Sequence, residues 1–188
     1  DITVLIIFFK IISLSKGCSG IRLMVVQRLV DMLNNDCLPI IPCQGSVGAS
    51  GDLAPLSHMT LPMLGEGDVK LNGKVIPAGD ALQILGWESI KLSYKEGLAL
   101  INGTQFSTAY GVFCMNRIDN LIKVADIAGA LSVEGLTGTD IAFEKRVHQL
   151  KPHKGQLNCA ENLYNLLQDS EIHLSHNDCG RVQDMYSL

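Results

Sequence analysis

The sequence predicts a mainly α fold: a helical bundle with long central helices, plus a small β-hairpin near residues 68–76. Three observations carry that prediction. Apolar residues recur at three- and four-residue spacing along most of the chain, the period of an amphipathic helix. Between residues 95 and 136 the chain is long, apolar and nearly free of helix breakers, as a helix at the centre of a bundle is. Asn72-Gly73 lies between Val69-Lys70-Leu71 and Lys74-Val75-Ile76, the pattern of a two-residue hairpin turn.

Taken in order, the chain starts with an apolar run over residues 2–9 that reads as a buried helix. Lys10 interrupts it, and the run falls short of the ~20 residues that span a bilayer. No basic segment precedes it, so it does not read as a signal peptide. Residues 20–35 predict an amphipathic helix on Ile21, Val25, Val26, Leu29, Val30 and Leu33, with Ser19 as its N-cap. Asn34-Asn35-Asp36 stops it, and Pro39 and Pro42 carry an extended segment into a glycine-rich loop at 45–55. Asp52 then opens a helix to about Leu64, whose N-terminus favours negative charge at the loop. The hairpin follows, then a short helix over 77–85 ended by Gly86. In the stretch 95–136, Gly103, Gly111 and Gly129 are expected to let neighbouring helices approach closely. Residues 134–150 and 156–168 predict further helices.

The chain has 188 residues, 47% hydrophobic and 18% charged, which suggests faces that bury against something beyond the chain itself. A net charge of −4 gives no footprint for nucleic acid. The cysteines form no C-x-x-C pair and suit neither zinc nor a small disulfide scaffold, so reduced thiols in the cytoplasm are the expectation. His173 and His176 form an H-x-x-H pair that no third ligand joins, and no metal is expected.

Residues 46–55 read Ser46-Val47-Gly48-Ala49-Ser50-Gly51-Asp52-Leu53-Ala54-Pro55. A backbone this bare folds into a turn too tight for ordinary side chains. The run from Gly45 to His58 resembles the signature of the aromatic amino acid ammonia-lyases, and Ala54-Pro55-Leu56-Ser57-His58-Met59 favours the histidine-acting branch. In that family the Ala-Ser-Gly turn cyclises to 4-methylideneimidazol-5-one (MIO), an electrophile built from the chain and doing what usually needs a bound cofactor. The residue types suit the chemistry. The Gly51 nitrogen attacks the Ala49 carbonyl carbon, a crowded approach that an attacker without Cβ tolerates. Ser50 then loses its hydroxyl as water, and its Cβ becomes the methylidene.

Two further motifs match in order. Lys95-Glu96-Gly97-Leu98-Ala99-Leu100-Ile101-Asn102-Gly103-Thr104 resembles the second signature, which implies that Asn102 hydrogen-bonds the ring or the substrate amine. Gln183-Asp184-Met185-Tyr186-Ser187-Leu188 resembles the third, which implies site roles for Gln183 and for Tyr186 as a donor or proton relay. Lys151-Pro152-His153-Lys154-Gly155-Gln156 matches another family segment with lysine at two differing positions, and His153 and His58 read as structural. The resemblance runs from about Lys16 to Leu188. It implies elimination of ammonia from L-histidine to trans-urocanate, with a tyrosine or phenylalanine ammonia-lyase or an aminomutase as the alternative. It also implies a cytoplasmic homotetramer acting on a small amino acid. A different class of reading is a non-catalytic helical remnant that only packs in an oligomer. The family's chains are longer at both ends, so the whole chain is expected to be one internal piece of that fold, with a MIO-loop region at about 40–65 and a helix-bundle region at about 95–188. The family's catalytic tyrosine base and carboxylate-binding arginine fall outside it.

Overall fold

A stripe of buried positions four residues apart opens the structure, a computed structural model that describes residues 2–48, 51–176 and 180. Helix α1 (Ile2–Leu14) buries Ile6, Ile7, Lys10 and Leu14, the spacing that puts side chains on one helix face. Helix α2 (Leu23–Asn34) adds Val25, Val26, Leu29 and Met32 to the same core. It starts later than its apolar pattern suggests, and Ser19 does not cap it. Gly20 turns the chain at φ +64°, and Arg22 takes the N-cap position without a side-chain cap bond. The Arg22 amide donates instead to Glu96 Oε1 at 3.0 Å. A distant carboxylate supplies what a local cap would have.

Strand β1 (Cys37–Pro39) follows, then helix α3 (Leu53–Leu64), which carries Pro62 inside it and ends at Gly65 with φ +87°. Strands β2 (Asp68–Leu71) and β3 (Lys74–Pro77) form the expected hairpin, with Leu71 opposite Lys74 and Val69 opposite Ile76. Asn72 and Gly73 both have positive φ, 49° and 82°, as a turn matched to strand twist requires. The sheet has a third strand that the hairpin pattern does not announce. β1 pairs antiparallel with β2, Cys37 opposite Leu71. Its three residues are too few to show alternation, so proline-rich extension was all that could be read. Helix α4 (Ala78–Leu85) ends at left-handed Gly86 and packs Ala78 and Ala81 onto Cys37, Val69 and Leu71.

The expected continuous helix over 95–136 is two helices. Helix α5 (Glu96–Ile101) stops at Asn102, and helix α6 starts at Gln105 and runs to Gly135 (Gln105–Gly135). Gly103 has φ +139°, a conformation that L side chains rarely adopt, so it breaks the helix rather than easing a helix contact. Residues 1–115 form one compact unit and 116–188 a second. The main core of the first unites α1, α2, α3, α5 and the start of α6 around Leu29, Leu56, Met59, Met63 and Leu100, all fully buried. Each such side chain contributes about 1.5–3 kcal/mol relative to exposure.

In the second unit the expected helix over 134–150 is absent. A turn after Gly135 leads to a single 3-10 turn (Ile141–Phe143) and a short helix α7 (Lys145–Gln149). Thr137 sits at φ +51°, a break that apolar spacing does not encode. Helix α8 (Lys154–Leu167) matches its pattern and buries Ala160 and Leu167. Asn162 Nδ2 and the Cys159 thiol donate to the Asp126 carboxylate at 2.7 and 3.3 Å. A Cβ on Gly129 would lie 3.5 Å from Leu163, whereas one on Gly111 would meet nothing within 4 Å. Of the three glycines expected to ease helix approach, only Gly129 does so. Helix α9 (Glu171–Ser175) follows, capped by the Ser170 hydroxyl.

Candidate active site

The loop between β1 and α3 is built on left-handed glycines: Gly45, Gly48 and Gly51 have φ +136°, +64° and +87°. Gly51 has the tightest surroundings. A Cβ there would stand 2.5 Å from the Gly103 carbonyl oxygen, 3.1 Å from its carbon and 3.2 Å from its nitrogen. Any side chain would therefore push two backbones apart, at a position whose φ already disfavours one. Gly103 is constrained differently: a Cβ on it would meet the movable side-chain amide of Gln105, and its φ of +139° is what disfavours a side chain. The Asp52 amide donates to the Gly103 carbonyl at 2.8 Å. The first motif thus rests directly on the second, and the α5–α6 break provides the flat peptide that it rests on.

Asp52 is fully buried. Its carboxylate accepts from the Ser46 hydroxyl at 2.7 Å and from the Ser107 amide and hydroxyl, both at 2.8 Å. Burial pushes this acid up, but donors outweigh it: the Ser107 amide, the Ser46 and Ser107 hydroxyls and the Phe106 amide hold it below the ordinary carboxylate range. Asp52 is therefore an ionised clamp. It ties the loop before the Ala-Ser-Gly turn to the first turn of α6.

Lys10 approaches the same peptide from α1. Its side chain is 1% exposed, and its ammonium donates to the Asn102 carbonyl at 2.7 Å and to Gln105 Oε1 at 3.4 Å. Burial lowers its pKa to about 8. Farther back, Glu96 joins α5 to the start of α2. It accepts from Arg22 Nε at 2.8 Å, Arg22 Nη2 at 2.7 Å and the Ser93 amide at 2.6 Å. Hydrogen bonding from Arg22 is the largest cause holding its pKa at about 2.

Of the residues singled out by the motifs, Gly51 and Asn102 are described. Asn102 caps the end of α5 through its own backbone, its amide donating to Leu98 at 3.0 Å, and its side chain is exposed. Ala49, Ser50, Gln183 and Tyr186 lie outside the described residues. His58 is half-buried in α3, and His153 is exposed at the N-cap of α8. His173 and His176 stack edge to face at 5.8 Å, with His173 Nε2 3.4 Å from Asp140. No group of three ligating side chains occurs among the described residues. Sequence reasoning missed Asp52, Lys10 and Glu96 as supports of the site. Lys10 alone carried a signal, since it stands four residues from both Ile6 and Leu14, on the buried stripe.

The sequence profile of the aromatic amino acid lyases matches residues 1–188. A histidine ammonia-lyase of Legionella pneumophila is 46% identical over 188 residues, all of this chain and 37% of that protein. One of Chloroflexus aurantiacus is 51% identical over 176 residues, 94% of this chain and 34% of that protein. Among solved structures, the histidine ammonia-lyase of Trypanosoma cruzi superposes with a TM-score of 0.77 at 42% identity, covering 93% of this chain and 34% of that one. A phenylalanine aminomutase of Pantoea agglomerans superposes with a TM-score of 0.81 at 32% identity, covering 98% and 37%. The chain spans about a third of the length of the curated relatives it matches.

Proposed function

The chain belongs to the aromatic amino acid lyase family, and we propose that the protein carrying it is an ammonia-lyase converting L-histidine to trans-urocanate and ammonia. The observation that carries this reading is the seat of Gly51 on the Gly103 carbonyl, 2.5 Å from where a Cβ would be. A five-membered ring closed through the Gly51 nitrogen requires a residue that adds no bulk on this side, and the cradle has space only for glycine. The residues present fit MIO.

Ala49, Ser50 and Gly51 would supply the ring's atoms, and when present it offers an electrophile to the substrate's amine. The rest falls to the chain's own groups. Ionised Asp52, on the C-terminal flank of the turn, bonds Ser46 on the other flank and Ser107 at the start of α6, and so would hold the turn's two ends together. The N-terminus of α3 faces the turn and stabilises negative charge developing there. Asn102, whose backbone is fixed by Lys10, would hydrogen-bond the ring or the substrate amine. Gln183 would orient substrate, and Tyr186 would donate a hydrogen bond or relay a proton. L-Histidine is favoured as substrate because relatives at 46 and 51% identity are histidine ammonia-lyases, while the aminomutase is 32% identical. Residues 40–65 form the MIO-loop region of this reading and 95–188 its helix-bundle region. No described helix is long and apolar enough to cross a membrane. The family resemblance adds a cytoplasmic homotetramer to this reading.

The test is turnover of L-histidine, L-tyrosine and L-phenylalanine by the full-length protein, alongside its Ser50→Ala variant. Urocanate formation that Ser50→Ala abolishes while the variant still assembles is the expected result. An intact Ala-Ser-Gly peptide by mass in a preparation that turns over would sink the MIO reading. Preference for tyrosine or phenylalanine would move the protein to the alternative branch.

A further inference from the structure

Lys10 occupies a place where a lysine costs stability. It lies on the buried stripe of α1 between Ile6 and Leu14, all three at most 3% exposed. Among the described residues no carboxylate pairs with it; its partners are a backbone carbonyl and a neutral amide. Burial alone lowers its pKa, to about 8, so the folded chain binds this proton less tightly than the unfolded chain does. The sign follows: below pH 8 the buried cation is a net cost to folding, and the cost disappears as pH rises through the ordinary lysine value. An apolar side chain at this point of α1 would escape that cost but leave the Asn102 carbonyl without this donor.

What the cation does is local. It fixes the Asn102 carbonyl at 2.7 Å. One peptide further on, the Gly103 carbonyl receives the Asp52 amide at 2.8 Å and forms the seat of Gly51. Gln105, the other partner of Lys10 at 3.4 Å, fills the space beside Gly103. The two carbonyls of the Asn102-Gly103 pair are thus held from opposite sides, by α1 and by the turn. Helix α5 ends here and α6 has not begun, so no helical hydrogen bond does this work.

We infer that Lys10 is a positioning residue that holds the Asn102-Gly103 peptide beneath Gly51, so that the turn is pressed into its ring-forming geometry and Asn102 is presented to it. The step to the ring rests on the proposed function; the hold on the peptide does not.

The experiment uses the full-length assembled protein with Lys10→Met, of similar length and neutral, and Lys10→Arg, which keeps the cation. Three readouts are taken: hydrogen–deuterium exchange of the peptides carrying Asp52 and Gly103, the fraction of chains short of two waters by mass, and the split between kcat and KM. Lys10→Met is expected to exchange about tenfold faster than the parent at both peptides. Its dehydrated fraction and kcat should fall by about tenfold with KM nearly unchanged. Lys10→Arg should keep every readout within about threefold of the parent. Unchanged exchange in Lys10→Met overturns the inference, as does equal damage in Lys10→Arg, which would mean packing alone. If Lys10→Met does not assemble, Lys10→Arg decides: parent-like exchange supports the inference, and faster exchange overturns it. A parent protein without ring or turnover would refute the proposed function, while the exchange readout would still decide the role of Lys10.

Discussion

Gly51 and Glu96 show how differently single residues reveal themselves. Gly51 was legible because it sits in the longer run from Gly45 to His58 that resembles the family signature, and its contact with Gly103 gives its bareness a cause. Gly51→Ala would place a Cβ against the Gly103 carbonyl at φ +87°. The left-handed conformation alone costs about 1–2 kcal/mol, and the overlap adds to it. The expected outcome is a lowered urea midpoint together with loss of the dehydrated species by mass; a dehydrated, parent-like Gly51→Ala protein would show that the cradle does not select glycine. Glu96 was not legible, because its partner Arg22 lies 74 positions away and no local pattern links them. Its carboxylate is 1% exposed, and Glu96→Gln leaves part of this network unsatisfied, at about 1–3 kcal/mol. Its pKa falls from the ordinary 4.5 to about 2. A depressed acid contributes stability that is complete above its unfolded value and lost as pH falls toward its folded one. Denaturation midpoints measured at about pH 6 and about pH 3 should therefore converge between parent and Glu96→Gln at the lower pH. A constant gap would assign the effect to packing.

At the scale of elements, helices α1, α2, α3, α4 and α8 and the hairpin could be read from spacing and turn residues, and the breaks could not. One glycine within an apolar run costs a helix only about 1 kcal/mol, so Gly103 gave no reason to split the segment. The split comes from tertiary bonds, Lys10 to Asn102 and Asp52 to Gly103. The same limit hid β1, whose three residues are a strand only because β2 lies beside them. Helix α6 shows what the chain leaves uncovered. Met115, Leu121, Ile122, Ile127 and Leu131 are 59, 62, 55, 51 and 67% exposed. The stretch 95–136 that holds them was expected at the centre of a bundle, and in the single chain these side chains are exposed. Exposed apolar side chains in this number, spread around one helix, favour association. Leu121→Glu with Leu131→Glu should change the stability of one chain by no more than about 0.5 kcal/mol, as surface changes do. Sedimentation should show the assembly dissociating at concentrations where the parent stays associated. An unaltered distribution would mean that copies do not meet at these two positions.

At the scale of the whole molecule, the described parts of the site stand unevenly complete. The seat of the turn, its ionised clamp and its buried cation are all within the first compact unit. The titratable groups beside them are already engaged: Asp52 accepts from Ser46 and Ser107, Lys10 donates to the Asn102 carbonyl and Gln105, and His58 is half-buried within α3. The resemblance implies a tyrosine base that would lie N-terminal to these 188 residues and a carboxylate-binding arginine that would lie C-terminal to them, in a site assembled from several subunits. Forming the turn and using it are then separable. The 188-residue chain, expressed alone, is expected to be able to lose two waters at Ala49-Ser50-Gly51 when it assembles, because every group argued to press the turn is its own. It is also expected to leave L-histidine unchanged, because positioning without proton transfer forgoes the 10²–10⁴-fold that a general base supplies, roughly, along with the carboxylate anchor. Intact mass and urocanate absorbance on the same sample separate the two. Turnover of L-histidine by a monodisperse monomer would overturn the claim that the missing groups come from outside this chain, and assembled chains that never dehydrate would show that more of the fold is needed to close the ring.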